Sequence, residues 1–93
     1  MYKYELSVTT TFKRDYKRLK KRRYDFSLLD NIVELLLQGK ELPEKNNDHA
    51  LTGDWQGYRE CHIEPDWLLV YKIYENQLIL SLVRSGTHSD LDF

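Results

Sequence analysis

Residues 57–67, GYRECHIEPDW, form the stretch around which the fold is predicted to be organised. Residues 58–63 have the composition of a β-strand, residues 64–66 predict a turn, and a second strand begins at Trp67. Three polar side chains interrupt the first of these strands: Arg59, Glu60 and His62. Because charged and imidazole groups are costly in a core unless they are paired or face a cleft, this hairpin is the first candidate for a functional site.

The rest of the C-terminal half continues the β pattern. Three further strands are predicted, at residues 49–52, 67–74 and 78–85. Residues 67–74 are apolar on both faces, which indicates a central strand. Gly86 ends the pattern, and residues 87–93 predict a polar tail.

The N-terminal half predicts a strand followed by two helices. Apolar and polar residues alternate over positions 2–8, as in a half-buried strand. One of the threonines at 9–11 caps a helix that ends near residues 22–24, and its narrow apolar stripe consists of Phe12, Tyr16 and Leu19. Asp25 or Ser27 caps a second, more apolar helix that Gly39 terminates, and residues 39–48 predict a loop.

This order of elements, a strand and a two-helix hairpin followed by an antiparallel meander, predicts a single α+β domain over residues 1–93. No apolar run approaches the length that crosses a bilayer, and the N-terminus lacks a signal-peptide core, so we expect a soluble cytoplasmic protein. The single cysteine, Cys61, excludes an internal disulfide and argues against a cysteine-rich metal site.

Charge is distributed unevenly along the chain. The net charge of the whole sequence is −1, but residues 11–23 contain eight basic residues against the single acid Asp15, a formal charge of +7. This asymmetry predicts a surface for a polyanion or an acidic partner. The alternative is a solvated helix face with no partner.

Three histidines, an aspartate and an arginine lie in the β half: His49, His62, His88, Asp66 and Arg84. If residues 65–66 and 75–76 form two-residue turns, Trp67 pairs with Arg84, and both share one sheet face with His62. Asp66 then lies at the rim of this face, and His88 folds back over the same end. The arrangement depends on register, because a one-residue slip sends a whole set of side chains to the opposite face.

Imidazoles beside an arginine and a carboxylate suit the cleavage of an RNA phosphodiester. Histidines exchange protons with the 2′-hydroxyl and the leaving 5′-oxygen, while the arginine binds the phosphate. Trp55, Trp67 or Tyr58 can stack on a base, and the basic helix can bind further phosphates. In the alternative interpretation Trp67 belongs to the core, and Arg84 forms a surface ion pair with Glu60 or Asp66.

Four segments together resemble the YafQ group of the RelE/ParE toxin superfamily: residues 49–55, 57–67, 69–72 and 84–91. The resemblance implies a RelE/ParE-like fold and a ribosome-dependent mRNA endoribonuclease of a type II toxin–antitoxin system, with no metal or other cofactor. It implies five catalytic residues: His49, His62, Asp66, Arg84 and His88. In this interpretation Asp66 or His49 acts as base and His88 as acid.

The resemblance also implies partners and residues that contact the substrate. The partners are a DNA-binding antitoxin of the DinJ type and the 70S ribosome, which presents mRNA in its A site; no membrane is involved. The substrate-binding residues are Trp67, Phe93, Lys13, Lys17, Lys20 and Lys21. Relatives place an aromatic residue four positions after the last histidine, where this chain has Asp92, so Phe93 takes that role one position later. The alternative is a non-catalytic member of the superfamily that binds an antitoxin, gyrase or RNA.

Overall fold

A computed structural model describes residues 1–92 and shows an α+β fold, which confirms the predicted class. The elements in chain order are β1 (Glu5–Val8), α1 (Thr10–Lys21), α2 (Phe26–Leu37), β2 (His49–Ala50), β3 (Arg59–Glu64), β4 (Trp67–Tyr74), β5 (Ile79–Gly86) and α3 (His88–Leu91). Short 3-10 turns at Glu44–Asn46 and Gly53–Trp55 flank β2. Within residues 1–92, no helix has the length and apolar character that crossing a membrane requires.

The sheet has five strands in the order β1-β5-β4-β3-β2. Strands β2 to β5 form the predicted antiparallel meander, and β4 is central, as its apolar faces indicate. The two helices carry the chain from β1 at one edge of the sheet to β2 at the opposite edge. The meander then leads back to β5, which lies beside β1 and runs parallel to it. The N-terminal strand is shorter than predicted, and Leu6 on it is 51% exposed.

The predicted strand register is wrong at two places. The Pro65–Asp66 turn has two residues, as predicted, but a bulge at Ile63 pairs His62 with Leu68, whereas the regular hairpin that the prediction assumes would pair it with Leu69. The turn after β4 has four residues, not two, so Tyr74 pairs with Ile79. A second bulge, in β5, then pairs Val70 with Arg84, and Trp67 does not face Arg84 as predicted.

The helices begin and end where the sequence predicts. The Thr9 hydroxyl accepts a hydrogen bond from the Phe12 N–H at the start of α1, and the Asp25 carboxylate accepts one from the Ser27 N–H at the start of α2. Gly39 follows α2 with a φ of 75°, a conformation that strongly favours glycine. The buried faces of both helices pack on the sheet and build the main core.

The two faces of the sheet are covered differently. Trp67, Leu69 and Tyr71 of β4 lie in the main core under the helices. Leu68 and Val70 face the opposite side, where they form a smaller apolar cluster with Leu91 of α3. The predicted polar tail is therefore partly wrong: residues 88–91 form a helix, because Thr87 and Asp90 make a reciprocal capping box that fixes its start.

Candidate active site

Asp66 and His88 form the closest pair in the candidate site. Asp66 lies in the turn between β3 and β4, and His88 is the first residue of α3. The Asp66 Oδ1 atom lies 2.5 Å from His88 Nδ1 and also accepts a hydrogen bond from the His88 backbone N–H at 3.0 Å. These contacts with His88 lower the pKa of Asp66. Both side chains are more than half exposed, so a substrate can reach them.

His62 lies beside this pair. Its ring centroid is 5.7 Å from that of His88, so the tail does fold back over the end of the sheet where His62 lies, as predicted. His62 Nδ1 is 3.3 Å from the Pro65 carbonyl oxygen, and Asn46 donates a hydrogen bond to the His62 carbonyl. Backbone and side chain of His62 are therefore both fixed by their neighbours.

His49 is positioned at the far edge of the sheet by β2. Its Nδ1 lies 2.7 Å from the Asn47 carbonyl oxygen, and its Nε2 lies 3.7 Å from a carboxylate oxygen of Glu60. His49 pairs with Glu60 across β2 and β3, so His62, two residues after Glu60, is its diagonal neighbour on the same face. Cα atoms in such diagonal pairs are about 7–8 Å apart.

The three imidazoles share one tautomeric arrangement. Each Nδ1 atom faces a carbonyl or carboxylate oxygen, which can only accept a hydrogen bond. Nδ1 must therefore carry a proton in His49, His62 and His88. The Nε2 atoms of His62 and His88 are left to exchange a proton with a substrate. The Nε2 atom of His49 lies 3.7 Å from a Glu60 oxygen, beyond hydrogen-bond distance, so it is also open to a substrate.

A row of paired residues crosses this face of the sheet. His49 pairs with Glu60, Glu60 with Val70, and Val70 with Arg84. With about 4.8 Å between neighbouring strands, the backbones of His49 and Arg84 are about 14 Å apart. The smaller apolar cluster around Val70 forms the floor between them.

Arg84 binds Asp15 of α1, and not Glu60 or Asp66 as the alternative interpretation expected. Its Nε and Nη2 atoms lie 2.8 and 3.2 Å from the two carboxylate oxygens of Asp15. Strand β1 ends opposite Leu82, so Arg84 lies on an open stretch of β5 beside α1. The ion pair raises the pKa of Arg84, which keeps the guanidinium charged.

A second acid ties α1 to the helix that carries His88. The Asp90 carboxylate accepts hydrogen bonds from Arg22 at 2.6 and 3.0 Å and from the Thr87 backbone N–H at 3.0 Å. Arg18 lies 3.7 Å from the same carboxylate. These contacts hold the pKa of Asp90 well below its usual range, with the Arg22 hydrogen bond as the main cause.

The burial of Trp67 contradicts the prediction that this residue contacts the substrate. Its side chain is 1% exposed, and its indole N–H donates to the Ser85 hydroxyl at 2.9 Å. Tyr24 and Phe26 pack edge-on against its ring. An RNA base cannot stack on a ring that is covered in this way, so Trp67 supports the sheet beneath the site, as the alternative interpretation expected.

The remaining predicted contacts lie on α1 and at the chain end. Four lysines of α1 have exposed side chains and form no ion pair with any residue of the described range 1–92: Lys13, Lys17, Lys20 and Lys21. The prediction for Phe93 lies outside the described residues. Cys61 is fully buried, and burial raises the pKa of its thiol to about 12, as expected for a packing residue.

Four polar residues near the site have roles that the sequence interpretation missed: Asp15, Glu60, Ser85 and Asp90. The sequence does draw attention to Asp15, because it is the single acidic residue in the basic segment 11–23. The Thr87-x-x-Asp90 spacing is that of a capping box and also predicts a helix start. Glu60 and Ser85 offer no such signal, since their partners follow only from strand register.

The arrangement provides two proton-transfer groups and a cation around an exposed surface. His88 with Asp66 and His49 with Glu60 each combine an imidazole with a carboxylate, and Arg84 supplies a permanent positive charge. This set matches the needs of phosphodiester cleavage by a neighbouring hydroxyl. Within residues 1–92, no three His, Cys, Asp or Glu side chains are grouped to hold a metal ion.

Comparison with known proteins gives consistent matches over nearly the whole chain. The model of the family described as "Bacterial toxin of type II toxin-antitoxin system, YafQ" matches residues 4–92. The mRNA interferase toxin YafQ of Escherichia coli (strain K12) is 36% identical over 92 residues, which cover 98% of both chains.

Solved structures agree with this match. The toxin in the crystal structure of the E. coli DinJ–YafQ toxin–antitoxin complex superposes with a TM-score of 0.87 at 36% identity, covering 96% of this chain and 97% of that one. A metal-bound toxin from Helicobacter pylori has a TM-score of 0.89 at 40% identity, covering 98% and 99%. The RelE-like fold follows from these structures together with the observed strand order.

Proposed function

Because this chain belongs to the YafQ family of type II toxin–antitoxin toxins and is an mRNA interferase, an endoribonuclease, we propose that it cuts mRNA on the ribosome with five side chains: His49, His62, Asp66, Arg84 and His88. The observation that carries this assignment is the Asp66–His88 pair beside His62, exposed at the end of the sheet. The whole chain, residues 1–93, acts as one domain in this proposal.

His88 is the general acid. Its Nδ1–H donates to Asp66, whose negative charge stabilises the imidazolium and orients the ring. The proton on Nε2 is then transferred to the 5′-oxygen that leaves when the chain is cut. Asp66 is therefore a partner of the acid, and of the two bases that the resemblance allowed, His49 is the one we retain.

His49 is the general base. Its Nδ1–H donates to a carbonyl, so the lone pair on Nε2 is available to take the proton of the ribose 2′-hydroxyl. The Glu60 carboxylate at 3.7 Å stabilises the imidazolium that results.

The 2′-oxygen attacks the adjacent phosphorus, the bond from phosphorus to the 5′-oxygen breaks, and the products are a 2′,3′-cyclic phosphate and a 5′-hydroxyl. Arg84 and His62 bind the non-bridging oxygens, where negative charge increases in the transition state. An arginine and imidazoles supply both charge and proton transfer, so the proposed reaction needs no metal or other cofactor.

The exposed lysines of α1 supply a second contact, with ribosomal RNA. Lys13, Lys17, Lys20 and Lys21 form a positively charged surface of the kind that binds phosphates without regard to sequence. The ribosome then presents mRNA to the site, which places the reaction in the cytoplasm. An antitoxin is the partner of the family's toxins, and we propose that it is of the DinJ type and binds DNA.

The assignment is tested by inducing the His88→Ala and Arg84→Ala variants in cells and measuring growth and mRNA integrity. Ser89→Ala provides the matched control, because Ser89 is an exposed neighbour of His88 in α3. We expect both site variants to lose growth arrest and mRNA cleavage, while the control retains both. If both site variants stay as toxic as the parent, the catalytic assignment is wrong; growth arrest with intact mRNA would indicate a non-catalytic mode.

A further inference from the structure

Asp15 is the most buried charged residue in the described part of the chain. It lies in the middle of the basic helix α1 with only 1% of its surface exposed. A carboxylate in that position is costly unless it is fully paired. Asp15 receives hydrogen bonds from the Arg84 guanidinium and from the Ser85 backbone N–H at 3.0 Å, and Arg18 lies 3.6 Å away.

The ion pair uses one particular edge of the arginine. The carboxylate contacts Nε and Nη2 side-on, which engages two of the five guanidinium N–H donors. The other N–H groups, on Nη1 and the outer side of Nη2, receive no acceptor from residues 1–92. They form the end-on fork whose geometry matches two oxygens of a phosphate.

Strand β5 is distorted at the same point. Val83 is the extra residue of the bulge, and bulges commonly redirect the side chain beside them. Asp15 binds the two residues that follow the bulge, Arg84 through its side chain and Ser85 through its backbone. The Ser85 hydroxyl in turn accepts a hydrogen bond from the Trp67 indole and donates one to the Leu68 carbonyl. The residues that Asp15 binds are therefore also tied to β4.

We propose that Asp15 is a positioning residue for RNA cleavage, which holds the side-on edge of Arg84 so that its end-on edge faces the scissile phosphate. This role rests on the proposed function, in which Arg84 binds that phosphate. Without Asp15 the Arg84 guanidinium is free to rotate. It keeps its charge, but its end-on edge is no longer held towards the phosphate. Since preorganised charge acts mainly on the transition state, the loss falls on kcat more than on KM.

The role is tested with the full-length chain in a translating extract, which contains both ribosomes and mRNA, by measuring the rate of mRNA cleavage. We expect Asp15→Asn to lower kcat by about 10- to 100-fold with KM changed less than threefold, below the 10²–10³-fold typical for removal of a whole charge-stabilising donor. In an Arg84→Ala background, Asp15→Asn should lower the rate no further. Leu36→Ala, a buried change in α2, controls for general loss of stability: it should lower the melting temperature and leave kcat unchanged.

Added guanidinium ion provides a readout that a purely structural role would not change. In Arg84→Ala the Asp15 carboxylate remains as a binding site for the free cation, so we expect guanidinium hydrochloride at low millimolar concentration to restore part of the activity. The double variant Asp15→Asn with Arg84→Ala should not respond. Equal rescue of both variants, or full activity of Asp15→Asn while Arg84→Ala is inactive, would overturn the role of Asp15. Full activity of Arg84→Ala would instead reject the proposed function.

Discussion

The Asp66 carboxylate accepts hydrogen bonds from both the ring and the backbone N–H of His88. One residue comes from a turn between strands and the other from the start of a helix 22 positions later. The double contact fixes the His88 ring and the orientation of α3 together. It makes Asp66 a partner of the proposed acid, in place of the base that the resemblance allowed.

Replacing Asp66 by asparagine should therefore reduce cleavage through His88. An amide can still accept one hydrogen bond but cannot stabilise the imidazolium by charge, so we expect kcat to fall by a factor within the 10²–10⁴ range of acid–base catalysis. Asp66→Glu keeps the negative charge and should retain more cleavage activity than Asp66→Asn. Equal cleavage rates of the two variants would show that the charge of Asp66 does not support His88.

The exposed lysines of α1 should contribute to binding rather than to chemistry. Lys17→Gln together with Lys20→Gln should weaken association with ribosomes, and should flatten its salt dependence because fewer counterions are released. The matched control is Lys3→Gln with Lys40→Gln, which removes two exposed charges elsewhere on the surface. Filter binding over a salt series measures both pairs, and equal losses would mean that net charge alone matters.

Acid should weaken the attachment of α3 through Asp90. The folded chain lowers the pKa of this carboxyl, so its contribution to stability is complete above the ordinary value near 3.9 and is lost as pH falls towards the lower folded value. We expect Asp90→Asn to be less stable by about 1 kcal/mol at pH 7, a typical cost for a lost cap or charged hydrogen bond. Melting curves between pH 7 and 2.5 should show the gap to the parent closing at the acid end. If the difference in melting temperature between the parent and Asp90→Asn is constant with pH, the charge of Asp90 does not contribute to stability.

Trp67 should behave as a core residue. Trp67→Phe removes the indole donor to Ser85 and leaves a small cavity, which together should cost about 1–3 kcal/mol in the free energy of unfolding. The KM for mRNA should stay within twofold of the parent. Urea unfolding and cleavage kinetics on the same sample distinguish the two roles, since a tenfold rise in KM at unchanged stability would mean that Trp67 contacts RNA.

The sequence is informative where local chemistry decides the structure. Residue type and period narrow the helix caps to the threonines at 9–11 and to Asp25 or Ser27, of which the structure uses Thr9 and Asp25. The terminator Gly39 and the central position of residues 67–74 follow from the same signals. Bulges have no such signature: those at Ile63 and Val83 are set by packing across strands, and each changes the register by one residue. For this reason the predicted pairing of Trp67 with Arg84 is wrong. The proximity of His62 and His88 agrees with the prediction because it requires only that the tail returns over the end of the sheet.

The long-range partners of polar residues could not be predicted from the sequence either. Asp15 and Arg84 are 69 positions apart, and their contact depends on how α1 lies against β5. The residues of the candidate site stand out in the sequence by residue type, and their roles in catalysis, which the resemblance to a family implies, stay predictions. The structure adds the connections between them, through Asp66, Glu60, Asp15 and Asp90.

The most direct test of the central claim is to map mRNA 5′ ends after brief induction of the toxin in cells. The parent chain should produce new ends within translated regions, carrying 5′-hydroxyl groups and clustered at a fixed position within codons, as expected for cleavage in the ribosomal A site. His88→Ala at the same protein level should produce none. New ends that persist in His88→Ala, or that fall equally in untranslated RNA, would contradict cleavage by this site on the ribosome.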